Sequence, residues 1–317
     1  MTDAPRTFAE QLFLATGRLA ARLPRVRGKT RILLALYKLL RLGGRHVIVD
    51  AHLRRPVRFE AQLDLHAWLQ RVAFLTGGYE EDTVEFLLAL HQRAGGRGYL
   101  LDVGANIGLI GIPFAKRVAA RQPSVISVEA VPDNVTVLRR NIERNALGTV
   151  VPIVPFALGA TAGGAQIQVE GDLRGGEGTG TANILPDGST YDCVRQEIVV
   201  KTLDSLAEDG TIPDGCSVIK IDTDGYDLKV LQGATAFLRR NRPVIFGEFS
   251  AHCLRWHEQS ISDVAAFAAA NGFAVWQRVI PTWRFRIYDA ATAAAFEQDL
   301  LLVPEEVADS FRSLLAQ

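Results

Sequence analysis

Asp102, Gly104, Asn106 and Gly108 follow directly on the apolar run Tyr99-Leu100-Leu101, and Glu129 closes a second apolar run, Ser124 to Val128. An acid at the end of a buried strand, a glycine turn, and a second acid about one βαβ unit later form a nucleoside-binding pattern. Gly104 and Gly108 let the backbone turn sharply and let a ligand approach bare backbone. Asp102 would sit at the carboxyl end of its strand, where open α/β sheets bind ligands, and Glu129 would meet a ribose diol. The turn alone also occurs with nothing bound; the second acid at compatible spacing argues for a site. A dinucleotide fold wants Gly-x-Gly-x-x-Gly, because the pyrophosphate rests on bare backbone at a helix N-terminus. Here Asn106 holds the middle position and Gly111 comes one place late. S-adenosylmethionine has no phosphate, and its sulfonium and amino groups suit a nearby carboxylate such as Asp102, so it is favoured over NAD.

A sulfonium is already an activated methyl donor, so the protein's task is to align an acceptor in line with it. A hydroxyl acceptor also gains from a base within hydrogen-bond reach. Asp222, ending the apolar run Cys216 to Ile221, is the leading candidate base. His252, just past the run Val244 to Phe246, is the second, with a backbone-bonded loop histidine as the alternative, and Asp224 is a further catalytic candidate. Asp222, Asp224 and Glu248 form a candidate oxygen-ligand set for Mg²⁺, since carboxylates gathered in one cleft need a cation or protons to coexist. Lys220 offers a metal-free way to neutralise one of them. Asp227 is expected to favour the first turn of a helix, and Asp204 to cap its own helix.

These residues need a scaffold of alternating strands and helices. Residues 7–23 and 30–42 read as two helices separated by Pro24 and Gly28, and His46 to Asp50 and Val57 to Leu65 as strands. After Gly77-Gly78-Tyr79-Glu80, Asp82 or Thr83 caps a helix running to His91. The two apolar runs above are the first two central strands; Pro132 to Asn145 is a helix and Val150 to Pro155 a third strand. Gly171 to Ser189, rich in Gly, Thr and Asp, is expected to be a lid over the site. Ile198 to Lys201, Cys216 to Ile221 and Val244 to Phe246 are further strands. Ser262 caps an alanine-rich helix ending at Asn271-Gly272. Phe273 to Ile280 and Leu300 to Val303 read as an antiparallel hairpin at the sheet edge.

The 317 residues suit one α/β domain plus an appendage, and 48% hydrophobic content with no net charge indicates a globular chain. The charge is unevenly spread. Up to Arg58 there are 13 Lys and Arg against 3 Asp and Glu, +10, and the remainder carries 22 against 32, −10. That basic segment could meet acidic lipid, nucleic acid or another protein, or simply dock on the acidic domain. Ile32 to Leu42 is too short and too charged to span a bilayer, though a basic amphipathic helix can lie in its interface. Cys193, Cys216 and Cys253 match neither a zinc pattern nor a disulfide framework, so a cytoplasmic location is expected, with a peripheral membrane contact as the variant.

The ordered motifs resemble those of FkbM-type S-adenosylmethionine-dependent methyltransferases. The matching pieces are Tyr79-Glu80, Asp102 to Gly108, Val128-Glu129-Ala-Val-Pro132 with Asn134, and Asn141-Ile-Glu-Arg-Asn145. Thr202 to Leu206, Ile219 to Gly225, Leu231 to Ala234, Pro243 to Glu248 and Leu300 to Pro304 complete them. The resemblance implies a class I methyltransferase Rossmann-like fold, with a seven-stranded, mostly parallel sheet and an antiparallel terminal hairpin. It implies O-methylation of a hydroxyl on a sugar, glycan or secondary metabolite. On the cofactor side it points to Asp102, Gly104, Asn106, Gly108, Glu129 and Ala157, with Glu80 near the methionine end. Where the family has Asp-Val-Glu-Gly-x-Glu, this chain has Asp222-Thr-Asp224-Gly-Tyr-Asp227, which withdraws two carboxylates by about 1.5 Å each. Residues 1–70 match no motif of the family and are expected to be a basic helical extension with strand-like segments; 71–317 is the expected methyltransferase domain. An RNA methyltransferase is the competing enzyme reading, disfavoured because the central region is acidic and lacks a basic stripe. A non-catalytic docking protein of the same fold is the other.

Overall fold

A computed structural model describes residues 6–24, 28–118, 123–169, 182–184, 194–290 and 298–315. The chain begins with helices α1 (Phe8–Arg22) and α2 (Lys29–Leu39), then a hairpin of β1 (Ile48–Leu53) and β2 (Phe59–Asp64), then α3 (Trp68–Thr76) and α4 (Glu81–Arg93). The first βα units follow: β3 (Tyr99–Val103), α5 (Gly111–Arg117), β4 (Val125–Val128), α6 (Pro132–Arg144) and β5 (Ile153–Val154). A small sheet interrupts them with β6 (Ala157–Leu158), β7 (Gly163–Val169), β8 (Ala182–Ile184) and β9 (Val194–Lys201). The chain returns through α7 (Leu203–Glu208), β10 (Cys216–Ile221), α8 (Asp227–Gln232), α9 (Thr235–Asn241) and β11 (Val244–Phe249). It finishes with α10 (Ala251–Trp256), α11 (Ile261–Ala270), β12 (Phe273–Val279), β13 (Arg284–Ile287) and β14 (Gln298–Pro304).

The main sheet has eight strands in the order β13-β12-β14-β11-β10-β3-β4-β5. From β5 to β11 the pairings are parallel, and β14 runs antiparallel between β11 and β12. β3 is buried at every position, which explains its apolar run up to Asp102. Its side chains alternate between two cores. Leu100 faces the layer of α4 and α5, while Tyr99, Leu101 and Val103 face the layer of α7 to α9 and α11. This is the doubly wound α/β class expected from the sequence, with one strand more than seven.

Four local readings need correction. Asp82 and Thr83 lie inside the first turn of α4, whose N-cap is Glu80 with no side-chain capping bond. β12 and β14 pair antiparallel as expected, but the rim is β13, which forms a hairpin with β12 across Thr282 and leaves β14 between β12 and β11. Ser260, not Ser262, caps α11, because Asp263 stands three residues on and completes a reciprocal capping box. Asp204 leaves its own helix to Thr202 and accepts instead from the Ala236 and Phe237 N–H groups at the start of α9. The expected lid, Gly171 to Ser189, lies outside the described residues except for β8, which pairs with β7.

The N-terminal elements are fastened to the sheet by two asparagines, Asn141 on α6 and Asn145 at its C-cap. Asn141 is fully buried; its Oδ1 accepts from the Gln62 N–H at 2.6 Å and its Nδ2 donates to the Ile107 carbonyl at 2.9 Å. Asn145 makes both bonds to the Glu60 backbone. The two amides thus imitate a neighbouring strand along β2. Phe13 packs edge-on against Tyr37, and the buried Arg71 guanidinium lies 4.1 Å from the centre of the Tyr37 ring. No helix among the described residues is long and apolar enough to cross a membrane.

Candidate functional site

The carboxyl ends of β3, β4, β10 and β11 open into one cavity of about 340 Å³. Glu80, Gly104, Asn106, Glu129, Ala157, Asp222, Asp224 and Glu248 line it. The backbone between β3 and α5 is set by side-chain-free positions. A Cβ on Gly104 would overlap the Asp222 carbonyl oxygen, and its φ is +78°. Asn106 follows with φ +50°, a left-handed conformation that asparagine tolerates better than most residues. That turn aims the Asn106 N–H at Glu129 Oε2, 2.8 Å away.

Glu129 is held on both sides. Oε1 accepts from the Val131 N–H at 2.8 Å and from Asn134 Nδ2 at 3.4 Å. Burial pushes its carboxyl above the usual range, and these hydrogen bonds partly offset that. Glu80 sits in a left-handed conformation just before α4 and opens onto the cavity. It takes hydrogen bonds from Tyr79 and Thr83; crowding by protein raises its carboxyl even though solvent reaches it.

Lys220 is the cation at the centre of this acidic region. Its Nζ lies 3.1 Å from Asp222 Oδ2 and 3.5 Å from Asp102 Oδ1, and donates to the Gly104 carbonyl at 3.2 Å. Burial alone would depress the ammonium; Asp222, Asp102 and Glu80 outweigh it and hold the pKa above its ordinary value. Lysine in an otherwise apolar strand is therefore explained by its partners, and one buried cation ties two strand ends together.

Two expected cofactor contacts sit elsewhere. The Asp102 side chain is fully buried and does not line the cavity; it points under the start of α5, where Gly111 leaves room for its Oδ2. Burial raises its carboxyl and Lys220 pulls it back. Gly108 does not line the cavity either. A Cβ there would come within 2.7 Å of Leu138 and 2.8 Å of Ile112, so this glycine serves the packing of α6 on the turn.

His252 is also displaced from its expected place. It is exposed on α10, edge-on to Trp256 at 5.0 Å, and its neighbour Cys253 lines the cavity instead. The histidine beside the site is His257, edge-on to the cavity-lining Tyr226 at 5.1 Å. Burial and then Lys229 lower it to about 4. The Tyr226 in the turn Asp224-Gly225-Tyr226-Asp227 was the one sequence signal for it. Asp227 is buried and accepts from the Thr223 N–H and hydroxyl and the Gly225 N–H, closing the loop that carries Asp222 and Asp224. Its role is loop closure more than helix-dipole balance. Asp222, Asp224 and Glu248 share the cavity, but no three His, Cys, Asp or Glu among the described residues converge into a metal-binding group. The expected Mg²⁺ set is thus corrected: Asp222 is turned toward Lys220.

Comparison with known proteins identifies the domain. The family described as Methyltransferase FkbM domain matches residues 102–274. The hexuronic acid methyltransferase AglP of Haloferax volcanii is 29% identical over 184 residues, covering 57% of this chain and 66% of the relative. A methyltransferase FkbM structure from Methylobacillus flagellatus aligns with 91% of this chain and 58% of its own, at 13% identity and a TM-score of 0.42. An O-methyltransferase of Bacillus cereus, solved with SAH, aligns with 93% of this chain and 99% of its own, at 15% identity and a TM-score of 0.38. The chain thus spans just under two thirds of the curated relative's length and 58% of the first structure's.

Proposed function

Because the chain belongs to the FkbM methyltransferase domain family, we propose that it is an S-adenosylmethionine-dependent methyltransferase whose acceptor is a hydroxyl of a sugar or glycan. The observation that carries the cofactor is the charge of the cavity. Glu80, Glu129, Asp222, Asp224 and Glu248 face it around the single ammonium of Lys220. Glu80 and Glu129, which burial holds above their usual range, are strained as anions, and a cationic ligand relieves them. S-adenosylmethionine, carrying a sulfonium and an ammonium, fits that donor set; a pyrophosphate does not. Glu129, with its carboxylate fixed by the Asn106 and Val131 N–H groups, suits the ribose hydroxyls. Glu80 suits the amino end, and Ala157 leaves a flat apolar wall for the base. When bound, the sulfonium supplies an activated methyl group, so the chain itself must orient the acceptor and take its proton.

Asp222 is the proposed base. Its carboxylate lines the cavity, and Lys220 holds one of its oxygens at 3.1 Å, which fixes its direction. Asp224 lies in the same loop as its auxiliary. The sugar acceptor rests on the named activity of the Haloferax relative. Calorimetry is the test of the cofactor: micromolar binding of S-adenosylmethionine is expected, and Glu129→Gln should weaken it about tenfold to a hundredfold, the worth of hydrogen bonds to a charged group. Binding of NAD with no response to S-adenosylmethionine would overturn the assignment. For the base, Asp222→Asn should abolish turnover on a glycan acceptor while lowering donor affinity far less than Glu129→Gln does.

A further inference from the structure

A second cavity, of about 600 Å³, lies between α1, the β1–β2 hairpin and the far ends of α5 and α6. Asn134 of α6 lines the acidic cavity and Arg144 the second one, ten residues or roughly 15 Å along the helix. Arg18, Arg22, Arg54, Arg58, Lys116 and Arg144 line it, against Asp50 and Glu60. Arg144 pairs with Asp50, and Glu60 lies beside His52. Arg18, Arg22, Arg54 and Arg58 take no acid partner among the described residues and are exposed.

Arg18 and Arg22 also flank an apolar ridge. α1 buries Phe13, Leu14, Gly17 and Ala20 against the protein. On its other side Phe8 is 79% and Leu19 61% exposed, with Leu12 between them and Leu23 at the helix end. At 3.6 residues per turn these four fall within roughly 60° of arc, with Arg22 and Arg18 on the adjoining arc. α2 repeats the arrangement: Leu33 and Tyr37 are buried, while Ile32 is 72% and Leu39 78% exposed. Neither ridge contributes to the protein's own core.

We propose that the outward faces of α1 and α2 dock this protein on an anionic phospholipid surface, with the Arg18–Arg22–Arg54–Arg58 cavity taking a lipid phosphate. Charge selects this occupant. The first 58 residues carry +10, so a second copy meeting this one ridge to ridge would bring the same sign, and a nucleic acid would leave Phe8, Leu19, Ile32 and Leu39 in water. A bilayer of acidic lipids accepts both features at once: aliphatic and aromatic side chains enter the acyl boundary, and arginines stay at the phosphates.

The test is flotation of the full chain with phosphatidylcholine vesicles, either pure or with about one third phosphatidylglycerol. At low ionic strength, partition onto the acidic vesicles should exceed that onto neutral ones by at least about tenfold, and should fall as salt shortens the Debye length. Arg18→Gln with Arg22→Gln should lower it about thirtyfold, and Phe8→Ser with Leu19→Ser by about tenfold or more. All four side chains are at the surface, so thermal midpoint and donor binding should match the parent. Equal partition onto both lipids, or variants that float like the parent, would overturn the proposal. A Phe8→Ser/Leu19→Ser protein that changes from dimer to monomer with unaltered flotation would assign the ridge to a second copy instead.

Discussion

An ion pair stands beside each of the two cavities, and the pairs behave differently because of where they sit. Lys220 and Asp102 are 7% and 0% exposed at the ends of neighbouring buried strands. Arg144 and Asp50, 2.9 Å apart beside the basic cavity, are 31% and 61% exposed. In the first place each charge has lost its water, so one ammonium governs the ionisation of several carboxylates. In the second, water and salt do most of the neutralising, so many arginines are needed to make a field. A small number of buried charges suits the recognition of one small cation. A larger number of exposed ones suits an extended anionic surface.

The contrast is broken most directly by Lys220→Met. Removing a buried partner leaves Asp102 uncompensated, and a loss of about 3–5 kcal/mol in denaturant unfolding is expected. Adding Asp102→Asn should recover most of it, since the orphaned charge is then gone. Recovery of nothing would mean that Lys220 matters through packing alone. Gly104→Ala comes next, at about 2–3 kcal/mol, because its Cβ meets the Asp222 carbonyl at a positive φ. Urea midpoints would check it, and donor affinity should fall in parallel, since the same turn carries Asn106.

The buried acids in and beside the first cavity also set a pH dependence. Glu80, Asp102 and Glu129 are raised above ordinary values of 4.5, 3.8 and 4.5. As pH climbs through that ordinary range, the unfolded chain loses these protons before the native state does. The native state then binds more protons, so this stabilisation declines until the native groups also ionise. Glu306, lowered to about 2 by Arg242, acts in the opposite sense: its contribution is present above 4.5 and lost as pH falls toward 2. Thermal midpoints should therefore rise from about pH 2 to 4.5 and then fall as pH climbs further, with the fall flattened by Glu80→Gln and by S-adenosylmethionine.

Much of the sheet was legible because parallel strands buried on both faces read as largely apolar runs, as β3 and β10 do apart from Asp102, Ser217 and Lys220. The same property hid the direction of Asp102. With both faces apolar, alternation does not say whether the side chain at the strand's end turns to the ligand or to the core. His252 against Cys253 is a comparable loss of phase, since a six-residue helix has too few turns to show a stripe. β13 escaped because Arg284-Phe285-Arg286-Ile287 buries one side chain only. The acid motif was readable from types and spacing, whereas the lysine's choice between two carboxylates depended on how two strands register. Lys220 pairs with Asp102 across the ladder, and no local pattern records that.

The smallest expected effect is the sharpest check on the exposed pair. Arg144→Met leaves Asp50 half in water, so the cost should stay within about 0.2–1 kcal/mol at low salt and vanish at high salt. The matching Asp50→Asn change should cost no more, and the double variant should show little coupling, because each charge alone is well hydrated. A double-mutant cycle by urea unfolding at two salt concentrations measures this. A coupling near that of Lys220 and Asp102 would mean that the second cavity is drier than its exposure indicates, and that its arginines act as a few strong charges and not as many weak ones.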